Sequence, residues 1–177
     1  MSFLNKMFKS KEPKSNEQLF AAVKSGNLQK VKELVDAVQN VNIVESGIEW
    51  PLILCAVAFP EILEYLIQQG ADINSQEQNK LYSPLINAAR LNHIESAKIL
   101  IKYDADLHLT SFAGLTALHY AIERYHDEIT KLLLNKENDP AYLKEFIQFC
   151  ENTSFNLSIY KNMIIKRINE LELISKK

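Results

Sequence analysis

Glycine is scarce in this 177-residue chain, with four in all, so no glycine-rich phosphate loop can be assembled from it. The two cysteines, Cys55 and Cys150, are far apart and form no CxxC. Isolated thiols of this kind point to a reducing, cytoplasmic setting rather than a disulfide scaffold. No apolar run approaches the 18 or so residues of a membrane-spanning helix. Charge of one sign is missing too: the net charge is −2, without the strong basic field that phosphate backbones call for, so nucleic acid is not an expected partner. With 47 % hydrophobic and 24 % charged residues the composition is that of a globular chain. At this length roughly 70 % of the unfolded surface can be buried without a metal or disulfide staple.

What the chain does have is a period. WPLILCAVA (Trp50 to Ala58), SPLINAARL (Ser83 to Leu91) and TALHYAIER (Thr116 to Arg124) align with Pro51, Pro84 and Ala117 spaced 33 residues apart. Leu52, Leu85 and Leu118 keep the step, as do the small residues Ala22, Cys55, Ala88 and Ala121, which extend it back to a first copy. A leucine-rich second segment follows each copy and carries Leu34, Leu66, Leu100 and Leu133. The turn at Phe59-Pro60 is one residue short. Each copy reads as two short helices that cannot bury their apolar faces alone and must stack. Ser83-Pro84 is an N-cap with proline at the first helical position, and Ser15 with Gln18 fits a capping box starting the first helix. Gly26, Gly70 and Gly114 fall in turns where positive φ is cheap for glycine alone.

GLTALHYAI (Gly114 to Ile122), SPLINAA (Ser83 to Ala89), QGADIN (Gln69 to Asn74) and AAVKSGNLQKVKELV (Ala21 to Val35) resemble the ankyrin repeat. Its pattern runs G-x-TPLH-x-A-A, a turn, a leucine-rich helix, then G-A-D-V-N. Departures are Ile53 and Ile86 in the histidine slot, Trp50 for threonine, and a fourth repeat ending in KEND. The resemblance implies an all-α solenoid of helix-turn-helix pairs with hairpin-like loops: four repeats at 15–44, 45–77, 78–110 and 111–139, between an N-terminal tail or short helix (1–14) and a helical cap (140–177). In the cap, Asp139-Pro140 opens a helix with Leu143, Phe146, Ile147 and Cys150 on one face. After Asn152-Thr153-Ser154 a longer helix follows, with Leu157, Tyr160, Ile164, Ile168 and Leu171 on one side.

The chemical candidates are weak. His93 and His126 occupy equivalent turn slots, and His119 sits three residues after Thr116, placed for a turn-stabilising hydrogen bond. None belongs to a metal-ligand spacing, so no metal or cofactor is expected. Cys55 takes an alanine slot and reads as an inert buried thiol. Glu61, Glu64, Glu123 and Asp127 read as solvated helix faces rather than acid–base pairs. Phe3, Leu4, Met7 and Phe8, among Lys6, Lys9, Lys11 and Lys14, read as a solvated tail or a short helix on the first repeat; the other reading is a weak membrane- or partner-binding arm.

The resemblance therefore implies a non-enzymatic module that docks one protein partner on a concave face of hairpin tips and first-helix ends, with no small-molecule substrate, and a monomer when free. By slot, that face carries Glu49, Lys80, Tyr82, Phe112 and Leu115 at the tips, with Ser46 and Gly47. Arg90, Leu91, Glu123 and Arg124 stand at the helix ends, with Lys24, Val57 and Ala58. Aromatics beside arginine match the composition of interface hot spots. A bacterial immunity protein sequestering a toxin is one version of this function; a scaffold or membrane-adjacent adaptor anchored by the N-terminal arm is the alternative.

Overall fold

The computed structural model describes residues 12–38, 40–45, 49–153 and 157–176, with side chains from Ser15 onward. The tail over 1–11 and the expected tip residues Ser46 and Gly47 lie outside the described residues, as does Ser154.

Four helix pairs follow one another: α1 (Glu12–Lys24) with α2 (Leu28–Val35), α3 (Leu52–Cys55) with α4 (Pro60–Gln68), α5 (Pro84–Leu91) with α6 (Ile94–Lys102), and α7 (Ala117–Glu123) with α8 (Asp127–Lys136). First helices pack on first helices and second on second, α1 on α3, α3 on α5, α5 on α7, and α2 on α4, α4 on α6, α6 on α8. The small slots make this approach possible: Ala88 and Ala121 are fully buried and Ala22 nearly so. α9 (Pro140–Glu151) and α10 (Lys161–Ile174) pair with each other at the end of the stack. Among the described residues the strands are β1 (Val44–Glu45) and β2 (Trp50–Pro51), antiparallel, with Val44 opposite Pro51.

Local chemistry explains the boundaries. Ser83 Oγ accepts the Ile86 N–H at 3.2 Å, with Pro84 at the first helical position. Asp139 does the same for α9, accepting the Ala141 N–H at 2.8 Å. The expected capping box at Ser15 and Gln18 is not the start of α1, which begins at Glu12 and already contains Ser15. Pro13 in the first turn fixes φ near its helical value where the missing N–H costs nothing, so the helix starts ahead of it. The second repeat is the irregular one. α3 is a single turn that tightens into a 3₁₀ turn over Ala56–Ala58, and Phe59 is drawn out to φ −127° before Pro60. A residue preceding proline is pushed away from helical angles, so the shortened turn closes without the left-handed residue that the other repeats use.

Those left-handed positions also follow the 33-residue step. Gly26 (φ +69°), Asn92 (+60°) and Tyr125 (+58°) occupy one slot, and Leu81 (+54°) and Gly114 (+73°) another. At Gly26 the requirement is double, because a Cβ would stand 2.6 Å from the Phe59 ring. Gly26→Ala is expected to cost about 2 kcal/mol or more, combining left-handed strain with overpacking. Gly70→Ala, where a Cβ meets nothing within 4 Å, should cost only the strain, about half as much. Thermal melts of the two variants check the order.

Backbone-capturing side chains tie the repeats together. Asn42 Nδ2 donates to the Gly70 carbonyl at 3.0 Å while its Oδ1 accepts the Asp72 N–H at 2.6 Å. One repeat on, Asn74 Oδ1 accepts the Asp106 N–H at 3.0 Å. Buried Ser96 donates to the Val57 carbonyl at 2.6 Å. The fourth repeat has KEND where a GAD would continue the array. There the buried Glu137 carboxylate accepts the N–H groups of Asn138 and Asp139, both at 2.8 Å. Arg167 of α10 donates to the carbonyls of Asn135 (3.0 Å) and Glu137 (2.9 and 3.0 Å), which closes the end of α8 and clasps the cap to it. The cap buries Leu143, Phe146, Cys150, Leu157, Tyr160, Ile164 and Ile168. Leu157 and Tyr160 stand in the turn before α10 rather than within that helix, and Tyr160 donates a short hydrogen bond to Asp127.

Candidate binding face

The hairpin tips and the C-terminal ends of the first helices form one side of the stack. Arg90, at the end of α5, stands over the Tyr82 ring at 4.9 Å, and its guanidinium donates to Asn87 Oδ1 at 3.0 Å. Tyr82 meets Tyr120 edge-on at 5.7 Å, and the Tyr120 hydroxyl donates to Ser111 Oγ at 3.1 Å. Tyr82 is therefore half-buried packing between the third and fourth repeats rather than a free anchor, and Leu115 likewise packs half-buried on the core. Phe112 stays 79 % exposed, and its N–H donates to the Lys80 carbonyl at 2.8 Å, which joins the two hairpin tips. Glu49 is exposed and accepts from Gln78 Nε2 at 3.5 Å. Glu123 and Arg124 are exposed where α7 ends.

Further toward the N-terminal repeats is a groove of about 390 Å³. Leu54 and Val57 make its floor, and Trp50, Cys55, Ala58 and Leu91 its apolar walls. Buried Asn87 adds a polar group to the floor, and the rim holds His93 and the Lys24–Glu45 ion pair at 2.5 Å. The helix-end slots Lys24, Val57, Ala58 and Leu91 are legible from the period; Trp50, Leu54, Asn87 and His93 are not. Trp50 was the available signal, a large apolar ring in a slot where threonine is usual. Cys55, expected to be buried, is half-buried, because the groove opens beside it. Burial still pushes its thiol up to about 11, so it is protonated and unreactive at neutral pH.

The opposite side carries ion pairs that run from repeat to repeat, although Lys32 and Lys131 there take part in none among the described residues. Along the second helices Lys102 pairs with Glu64 (2.7 Å), Lys98 with Glu95 (2.8 Å) and Glu128 (3.1 Å), and Lys136 with Asp104 (2.7 Å). These exposed pairs contribute little stability each, but they satisfy one another's charge. Among the described residues Lys80, Glu123 and Arg124 take part in no ion pair, no group of three or more His, Cys, Asp or Glu is placed to hold a metal, and no helix is long and apolar enough to cross a membrane.

His119 does what its slot predicts. Its Nδ1 accepts the Thr116 N–H at 3.1 Å and lies 2.9 Å from Thr116 Oγ1, so the neutral ring carries its proton on Nε2. The ring lies against Phe146 and Phe149 of α9, with centroids at 4.4 and 4.8 Å, and burial lowers its pKa to about 4.

Residues 52–143 match the family model for ankyrin repeats, three copies. The chain belongs to the ankyrin repeat family. It is 34 % identical over 111 residues to the ankyrin repeat and SAM domain-containing protein 6 of Rattus norvegicus, a stretch that is 62 % of this chain and 12 % of that protein. It is 27 % identical over 135 residues to a putative ankyrin repeat-containing protein of Treponema pallidum (strain Nichols), covering 75 % of this chain and 45 % of the other. A putative ankyrin repeat protein of Acanthamoeba polyphaga mimivirus is 27 % identical over 118 residues, 66 % of this chain and 15 % of its own length. The chain thus spans about an eighth of the rat protein and under half of the treponemal one. The first helix pair lies outside the family match, yet α1 and α2 stack as the other pairs do. Ankyrin repeats generally mediate protein–protein interaction and are typically non-enzymatic.

Proposed function

We propose that this chain docks one protein partner on the face of hairpin tips and first-helix ends. The observation that carries the reading is the apolar groove walled by Trp50, Cys55, Ala58 and Leu91, which opens beside the ends of the first helices. Apolar concavities with a few polar groups on the rim are where binding energy concentrates. A specific interface hides about 800 Å² per partner, more than the groove alone, so the contact extends over the tips of the third and fourth repeats.

The test uses the partner that co-purifies stoichiometrically from the native source. Leu91→Glu places a carboxylate at the apolar wall from an exposed position, so the fold should persist. It should weaken that partner by roughly 30-fold, equivalent to about 2 kcal/mol. Lys98→Ala with Lys131→Ala, on the second-helix side, should leave affinity within twofold or so, as peripheral charges do. A larger loss from the lysine pair, with both proteins folded, places the interface on the other side. The partner's identity separates a sequestered toxin from a scaffold's client.

A further inference from the structure

The tip of the third repeat is held in a conformation that its own side chain disfavours. Leu81 lies at φ +54°, in the slot that Gly114 fills one repeat later. A Cβ at Gly114 would meet nothing within 4 Å, so the slot is open, and its demand is on the backbone alone. Glycine meets that demand without strain, whereas leucine does not. Leu81 gains no full burial in return, since 37 % of it is exposed.

The rest of the tip is rigid. The buried Glu77 carboxylate accepts the N–H groups of Asn79 (2.7 Å), Lys80 (2.6 Å) and Tyr82 (3.2 Å), and the Leu81 N–H reaches the Glu77 carbonyl at 3.1 Å. Gln76 Nε2 bridges the Leu81 carbonyl (2.5 Å) to that of Thr110 (2.9 Å). The neighbouring tip is fastened by the Phe112 N–H on the Lys80 carbonyl. Two apolar side chains and one cation without an ion pair are therefore presented together from a fixed backbone. Glu49, Asn92, Asp104 and Tyr125 share the left-handed angle, so it is a device of the turns; what marks this tip is that exposed Leu81 and Phe112 stand on a backbone that its surroundings hold fixed. Preorganisation of this kind lowers the entropy lost on binding.

We infer that Leu81, Phe112 and Lys80 form a preorganised anchor for an acidic, apolar segment of a protein partner, whose apolar side chains cover Leu81 and Phe112 while a carboxylate meets Lys80. This deepens the binding-face reading and rests on it. The choice of an acidic segment follows from the charge at the anchor: Lys80 pairs with no carboxylate among the described residues, and the nearby Glu77 carboxylate is already saturated by backbone N–H groups.

Two 18-residue helical peptides serve as probes, with the same leucine face and glutamate or lysine at every other position, titrated into the ¹⁵N-labelled full chain. The glutamate peptide is expected to shift the amides of Lys80, Leu81, Phe112 and Ala113. Its affinity should fall roughly tenfold or more in Leu81→Gly and in Phe112→Ala. Lys80→Glu should transfer the preference to the lysine peptide. Leu81→Gly should melt close to the parent, since relief of the left-handed strain offsets the lost packing and the added freedom of the unfolded chain. A Leu81→Gly variant that melts several degrees lower makes Leu81 structural and overturns the inference. So does equal binding of both peptides, or the absence of shifts with either. Shifts confined to Trp50 and Leu91 overturn the anchor while leaving the groove as a binding site. The binding-face reading itself is judged separately by the co-purified partner.

Discussion

Removing residues 140–177 is expected to turn a folded protein into an aggregating one. The deletion strips Leu143, Phe146, Cys150, Leu157, Tyr160, Ile164 and Ile168 from the fourth repeat and from each other. Burial of side chains this size contributes about 1.5–3 kcal/mol each, so the gross loss is on the order of 10 kcal/mol. That is comparable to the whole stability of an ordinary domain. The deletion also uncovers the Thr116 hydroxyl, 3.0 Å from the Tyr142 hydroxyl, and the His119 ring. A solenoid end without a polar cover offers its apolar flank to any other copy. Light scattering with size-exclusion chromatography should show high-mass species, and a monodisperse, fully helical truncation would refute the capping role. Arg167→Ala is the milder counterpart. It leaves the apolar contacts in place but frees the Asn135 and Glu137 carbonyls, and should lower the melting temperature without aggregation.

Acid should destabilise the chain well above the range where carboxylates protonate. His119 has a folded pKa of about 4 because the charged ring would be buried against Phe146 and Phe149. In the unfolded chain its pKa is about 6.5. The unfolded state therefore binds the proton first, and stability falls as pH drops from about 6.5 to about 4, then levels off for this group below that. The difference amounts to about 3 kcal/mol. Burial lowers the pKa of His93 as well, so it acts in the same direction. Urea unfolding at pH 7.5, 6, 5 and 4 measures the slope. His119→Gln keeps a side-chain acceptor near Thr116 but no titrating ring, and should flatten most of it. An unchanged slope in that variant would assign the effect to other groups.

The repeat was legible in the sequence because its signals are local or strictly periodic. The Ser83-Pro84 and Asp139-Pro140 caps need only neighbouring residues, and the Thr116–His119 bond spans one helical turn. Gly26, Gly70 and Gly114 declare their backbone angle by being glycine. Asn92, Tyr125 and Leu81 adopt left-handed angles too; asparagine is the usual second choice there, but the side chains of Tyr125 and Leu81 give no such declaration. Contacts between repeats were less visible. The period places Tyr82 and Arg90 at a tip and a helix end, but it does not say that the guanidinium will cover the ring, so Tyr82 read as an anchor rather than as packing. Glu77 and Glu137 look like surface acids in sequence. Apart from His108 Nε2, 3.4 Å from the Glu137 carboxylate, the partners seen for them are backbone N–H groups, which every non-proline residue carries and which therefore leave no mark. The groove was half legible for the same reason: helix-end slots follow the period, whereas the opening beside Cys55 depends on how the irregular second repeat closes.

The Arg167 clasp has a consequence for synthesis. Translation proceeds from the N-terminus, so the fourth repeat emerges from the ribosome before the residues that cover it. The stretch from Pro140 to Ile174 must follow before α10 is complete, which at 5–20 residues per second takes roughly 2–7 s. Throughout that interval the flank facing α9 is bare, and the carbonyls that Arg167 will occupy point into water. Docking of α10 fills those carbonyls and completes the cover, so full burial of the fourth repeat waits on the finished cap.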